Sequence, residues 1–273
     1  MVSLTKVERN ERSWGKWIVL LAVLVFIGVA VILIGQPIRK AKRTEQALND
    51  RFGEAPAYVP AADGAIHPDR MEAFLRVRER IFEHCRGFQE RVGDLYQLDD
   101  PQQIEARPQA APARGGVSGL KKLISFGPDF LRFMDSRNRA LLEEEMGFGE
   151  YLYIYILAYL EPLRRIEHTR FAGVEQAYVG PRAKEELIQI LRNQLKALVS
   201  GSGRSADPDL AARLQAQITD LSEGRQTFPW EDGLPPAIAA SFEPYAMPLA
   251  RFYCEGIAKI ELMQKNKGFK IKN

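Results

Sequence analysis

The chain has 273 residues, 46% of them hydrophobic, with 38 lysines and arginines against 35 aspartates and glutamates. A chain this close to neutral lacks the strong basic surplus of a nucleic-acid binder, so no nucleic acid is expected among its partners. Its two cysteines are too few for a disulfide framework, and its length suffices to bury a sizeable core.

Residues 1–16 read as a polar tail in which Lys6, Arg9, Arg12 and Lys16 oppose Glu8 and Glu11. The run Trp17–Ile34 follows, eighteen residues without a charge. As a helix it is about 27 Å long, close to the roughly 30 Å of a hydrocarbon core. Residues 17–36 are therefore read as one transmembrane helix, and the chain as a single-pass membrane protein of the cell envelope. The run exceeds the apolar core of a signal peptide, and the basic cluster Arg39-Lys40-Ala41-Lys42-Arg43 behind it suits a retained anchor. Its small residues Ala22, Gly28, Ala30 and Gly35 never stand four apart, so no close-packed dimer face is specified. With no ionisable residue inside it, the span is not built for a proton relay.

Four basic residues precede the run and five lie between Arg39 and Arg51 after it, so charge does not decide its orientation. A short charged head most simply stays in the cytoplasm. The cluster after the span argues the other way. Export of the C-terminal part, to a periplasmic or extracellular space, is the expectation.

Residues 37–67 read as a basic amphipathic juxtamembrane segment, to about Arg51, and then an irregular connector. Its cations are placed either against lipid head groups or in solvent. Asp63-Gly64 is a turn, and Pro68 fits the first position of a helix, with Asp69 favouring its N-terminus. The Asp-Gly pair lacks the flanking carboxylates of an EF-hand: Val59, Ala61 and Arg70 stand where ligands belong.

A long amphipathic helix is expected over 68–100. Met71, Phe74, Leu75, Ile81, Phe82, Cys85, Phe88, Val92 and Leu95 recur at spacings of three and four, with Arg78 contributing its stem to the stripe. Asp99-Asp100-Pro101 ends it, and 101–116, rich in Pro, Ala, Gln and Arg, reads as a flexible loop. Residues 117–264 are expected to form a helical domain that packs with 68–100. Within it Gly127-Pro128 reads as a break, Glu143-Glu144-Glu145 as a solvated acidic corner, and Gly147-Phe148-Gly149 as a turn.

The uncharged stretch Tyr151–Leu160 alternates tyrosines as a strand would. No other strand candidate stands nearby to pair with it, so it is read as a buried central helix that Pro162 kinks or ends. Gly180-Pro181 opens a further helix, Asp207-Pro208 caps another, and a last one starts near Pro235-Pro236 and is interrupted at Pro244 and Pro248. Residues 265–273 form a basic tail. The fold class is all-α: one transmembrane helix, then a bundle of about six or seven helices.

No catalytic signature stands out. His67, His84 and His168 have no partner at metal-ligand spacing, and Gly-x-Ser-x-Gly, the P-loop and GxGxxG are missing. No catalytic, cofactor-binding or metal residue is assigned, no cofactor is expected, and the chain is not read as an enzyme. Each cysteine sits on an apolar stripe and reads as a small buried hydrophobe; an oxidising compartment would allow one Cys85–Cys254 bridge. The aromatic set Tyr151, Tyr153, Tyr155, Tyr159, Phe228, Trp230, Phe242 and Tyr245 reads as core, or alternatively as the lining of an apolar groove.

The expected function is a protein-interaction or scaffold component at the membrane. Its partners would be the bilayer, through 17–36, and another protein. One alternative is a tethered sensor or carrier of a small apolar ligand beneath the 101–116 loop. The other is an enzyme with an unrecognised site around Cys85, His84 or His168.

Overall fold

The computed structural model describes residues 38–85, 115–166, 181–200 and 207–261, and the single positions 17, 21 and 87. The transmembrane reading of Trp17–Ile34 falls almost wholly outside these residues; Trp17 and Leu21 are helical and exposed. Among the described residues no helix is long and apolar enough to cross a membrane. The readings of 88–100 and of the tail 265–273 also lie outside them, as does the loop expected over 101–116 except for Gly115 and Gly116, which already belong to a helix.

Every regular element among the described residues is helical. Helix α1 covers 38–52. A 3-10 turn, Ala55–Ala57, leads to α2 (Pro68–Phe82), α3 (Gly115–Glu143), α4 (Phe148–Ala158) and α5 (Leu160–Ile166). Then come α6 (Pro181–Ser200), α7 (Pro208–Ser222), α8 (Pro236–Phe242), α9 (Ala246–Arg251) and α10 (Glu255–Glu261). With α4–α5 and α8–α9 each counted as one interrupted helix, there are eight among the described residues, against the six or seven expected.

Two breaks differ from expectation. The helix expected over 68–100 is interrupted after Phe82: the His84 amide bonds to the Ile81 carbonyl in a tightened turn at Glu83 and His84, and Cys85 and Gly87 are helical again. Conversely, α3 runs straight through Gly127-Pro128. A helical proline removes a single backbone bond and crowds one carbonyl, and the long flanks of α3 carry the helix across that gap. The end of α3 lies a little before the expected turn. Glu145 closes it at φ 50°, and the Met146 amide bonds back to the Leu141 carbonyl in the manner of a left-handed helix cap. Gly149 is already inside α4.

Helix α4 is the centre of the molecule. Phe148, Gly149 and Tyr151–Leu157 are all buried, so this helix presents apolar surface all round. It needs cover on every side, which α2, α3, α6 and the 3-10 turn supply. The turn comes so near that a Cβ on Gly149 would stand 2.2 Å from the Ala55 carbonyl oxygen. The expectation of a buried helix rather than a strand over 151–160 holds, and the helix breaks at Tyr159, just ahead of Pro162.

The caps follow the sequence closely. Pro68 sits in the first turn of α2. Asp207 accepts the amides of Asp209 and Leu210 at 3.0 and 3.1 Å. Gly64, at φ +76°, makes the turn before α2, and a Cβ there would meet buried Gln194 and Ile238 at 2.7 Å.

Candidate functional site

Three features stand out among the described residues: a buried ion pair, a seam of surface ion pairs, and an open surface cleft. The buried pair is built on Arg78. Position 78 lies on the inner stripe of α2, between Phe74 and Ile81, so the guanidinium is carried into the core and is 1% exposed. Its Nη1 donates to Glu261 Oε2 and to the Tyr151 hydroxyl, both at 2.8 Å. Its Nη2 donates to the Phe252 carbonyl at 3.0 Å. The Tyr155 and Tyr159 rings lie 5.0 and 5.2 Å from it, presenting the negative faces that attract a cation. Tyr151 donates to the other oxygen of Glu261.

Burial alone would lower the Arg78 pKa. Tyr151 and Glu261 facing it outweigh that and hold it well above the usual value. Burial raises the hydroxyls of Tyr151, Tyr153 and Tyr159, which stay protonated. The group is thus one charge pair clasped by neutral phenols, and it joins α2, α4 and α10. A second guanidinium, Arg137, is 2% exposed, lies 4.5 Å over the Phe148 ring and donates to Asn138 Oδ1. Burial lowers its pKa, an effect that Glu261 opposes.

Sequence reading placed only the stem of Arg78 in the core and passed over Glu261. The available signal was a charge standing on each apolar stripe: Arg78 between Phe74 and Ile81, and Glu261 four residues beyond Ile257.

Cys85 and Cys254 form a disulfide, with Cα atoms 5.8 Å apart across 169 residues of sequence. Both cysteines are buried, as their stripes suggested, but they are joined by the bridge that had stood only as the alternative to two separate thiols. Helix periodicity carries each cysteine inward, but only the return of the last segment against the end of α2 brings them together. The bond lies next to the ion pair: Cys254 is two residues from Phe252 and begins the turn into α10, which carries Glu261. It also removes Cys85 as a free nucleophile.

The acidic corner is corrected as well. Glu143, Glu144 and Glu145 are not merely solvated. Arg80 pairs with Glu143 and Glu144, Arg76 pairs with Glu144 at 2.6 Å, and Arg51 pairs with Glu145. Arg70 grips Glu150 through Nε and Nη2 at 2.6 and 2.7 Å. The corner is the seam along which α1 and α2 meet the end of α3 and the start of α4. Residues that lie 63 to 94 apart in sequence make these pairs, a distance at which sequence spacing carries no signal.

Of the histidines, His67 lies exposed beside Asp69, and His84 sets its ring edge-on to Phe133 at 6.3 Å. His168 lies outside the described residues. The tyrosines of α4 pack on one another, with Tyr151–Tyr155 stacked at 5.8 Å and Tyr155–Tyr159 edge-on at 5.1 Å, as core residues do. Trp230 is fully buried at φ 62°, held by its amide on Gln217 and by Arg213 lying 5.3 Å over its ring.

The surface cleft, about 500 Å³, lies between the 3-10 turn and the C-terminal half of α6. Pro56, Ala57, Val59, Asn193, Lys196, Ala197 and Ser200 line it. Its floor is stiff, because Asn193 donates to the carbonyls of Pro56 and Tyr58 at 2.8 and 2.9 Å. Val59, on its lining, stands exposed.

Compared with family models, with curated proteins and with solved structures, the chain finds no match in any of the three.

Proposed function

We propose that this chain is a single-span membrane protein whose helical domain is an interaction module, held at the bilayer by 17–36 and binding another protein through the cleft between the 3-10 turn and α6. The observation that carries the reading is the cleft itself. It is open, mostly apolar, and mounted on a floor that Asn193 fixes. A rigid concave apolar surface loses little freedom when a partner covers it. The reading assigns no catalytic chemistry to the domain. The ionisable groups at its centre are occupied in holding α2, α4 and α10 together.

The proposal places the domain on the exported side of the membrane. The Cys85–Cys254 bond supports this, since disulfides persist in oxidising compartments. A carrier of small apolar ligands gains no support from the tyrosines, which pack against one another.

A photo-crosslinking residue at Ala197 in the membrane-bound full chain tests the module. One discrete heavier product is expected, and it should vanish when Val59→Glu is added while the circular dichroism is unchanged. Only monomer, or a product indifferent to Val59→Glu, refutes it. Reporters fused to the C-terminus test the orientation; activity of a reporter that works only in the cytoplasm refutes export.

A further inference from the structure

Helix α1 carries a second surface. Ala41 and Leu48 are buried, Thr44 donates to Asp135 at 3.2 Å, and Arg51 donates to the Leu142 carbonyl and pairs with Glu145, so one side of α1 is bolted to α3. Arg39, Lys40, Lys42 and Arg43 are all exposed. At about 100° per residue these four span roughly 160° of arc, centred opposite Ala41 and Leu48. None of the four makes an ion pair among the described residues.

Arg39 stands five residues after Ile34, the end of the apolar run. Whatever path those residues take, the chain reaches at most about 18 Å. If 17–34 spans a bilayer, the cations cannot lie far from its surface.

We infer that the outer face of α1 binds the head groups of anionic phospholipids in the same membrane. This rests on the anchor reading above and adds to it. Because α1 is fixed to α3, its contact with lipid sets the tilt of the whole domain, and with it the direction the cleft faces. A solvated connector would leave the domain free to swing.

The test uses the full chain in nanodiscs of phosphatidylcholine, with or without phosphatidylglycerol. A water-soluble acylating reagent labels exposed lysines, and mass spectrometry reads Lys40 and Lys42 against exposed Lys196. Labelling of Lys40 and Lys42 is expected to fall about fivefold in the anionic discs, the attraction typical of one cation at such a surface, and to recover at high salt. The double variant Arg39→Gln/Arg43→Gln should weaken that protection. Labelling that ignores lipid charge overturns this inference and leaves the anchor standing. A chain that does not enter the discs overturns both.

Discussion

Substituting Glu261→Gln keeps the shape of the buried pair and deletes half its charge. Arg78 would then hold a full positive charge at 1% exposure with no anion beside it, facing neutral acceptors only: the Tyr151 hydroxyl, the Phe252 carbonyl, the amide oxygen of the new side chain and the two tyrosine rings. Removing one partner of a buried ion pair costs about 3–5 kcal/mol. The Tyr155 and Tyr159 rings keep contributing about 0.5–2 kcal/mol each, which puts the expected loss near the lower end, about 3 kcal/mol. That is a large part of a domain stability of about 5–15 kcal/mol.

The assay is urea unfolding of the full chain in mild detergent, followed by circular dichroism. With a slope of about 2–3 kcal/mol per M, the midpoint should drop by about 1–1.5 M. Removing the polar side chains together reverses part of the effect. Arg78→Met with Glu261→Leu leaves the Tyr151 hydroxyl buried and unpaired, at about 1–3 kcal/mol. Adding Tyr151→Phe removes that hydroxyl and leaves the Phe252 carbonyl as the group without its donor, so the triple variant should recover part of the loss, to within about 2 kcal/mol of the parent, because a well-packed apolar replacement is often as stable as the pair. A Glu261→Gln chain within about 1 kcal/mol of the parent, or a triple variant no better than the single one, would refute the account of Arg78 as a buried charge that depends on Glu261.

The disulfide closes a loop of 169 residues, so Cys85→Ser should lower stability by as much as about 5 kcal/mol on the loop-entropy scale; thermal unfolding with and without reductant measures this, and equal melting refutes it. Gly149→Ala should disrupt the contact between α4 and the 3-10 turn and cost more than Gly64→Ala, because the clash is with the Ala55 backbone, whereas at Gly64 it is with side chains; comparing their urea midpoints decides. Tyr151, Tyr153 and Tyr159 have folded pKa values raised by burial. Above about pH 10 the unfolded chain therefore gives up protons the folded chain keeps, and stability should fall by about 1.4 kcal/mol per pH unit for each of the three. Tyrosinate absorbance should rise together with loss of helix; ionisation well before unfolding would contradict the burial argument.

The helical class, the buried role of 151–160, the Asp207 cap, the helix start at Pro235-Pro236 and its interruption at Pro244 were legible in the sequence because each depends on neighbours a few residues away: periodicity, a side chain reaching its own helix, a missing amide; Pro248, expected as a second interruption, lies inside α9 instead. Even here the local rule failed at Gly127-Pro128, where the surrounding helix outweighed one lost hydrogen bond. The apolar run Trp17–Ile34 is also local information, and its reading as an anchor rests on the sequence alone. The tertiary structure decided what Arg78, Glu261, Cys85, Cys254 and Glu143–Glu145 are for. Their partners stand 63 to 183 residues away, and only the packing of α1, α2 and α10 around α3 and α4 brings those charges and thiols within reach of one another. The cleft has the same origin, since Pro56 and Asn193 share a surface only once the 3-10 turn is pressed against α6.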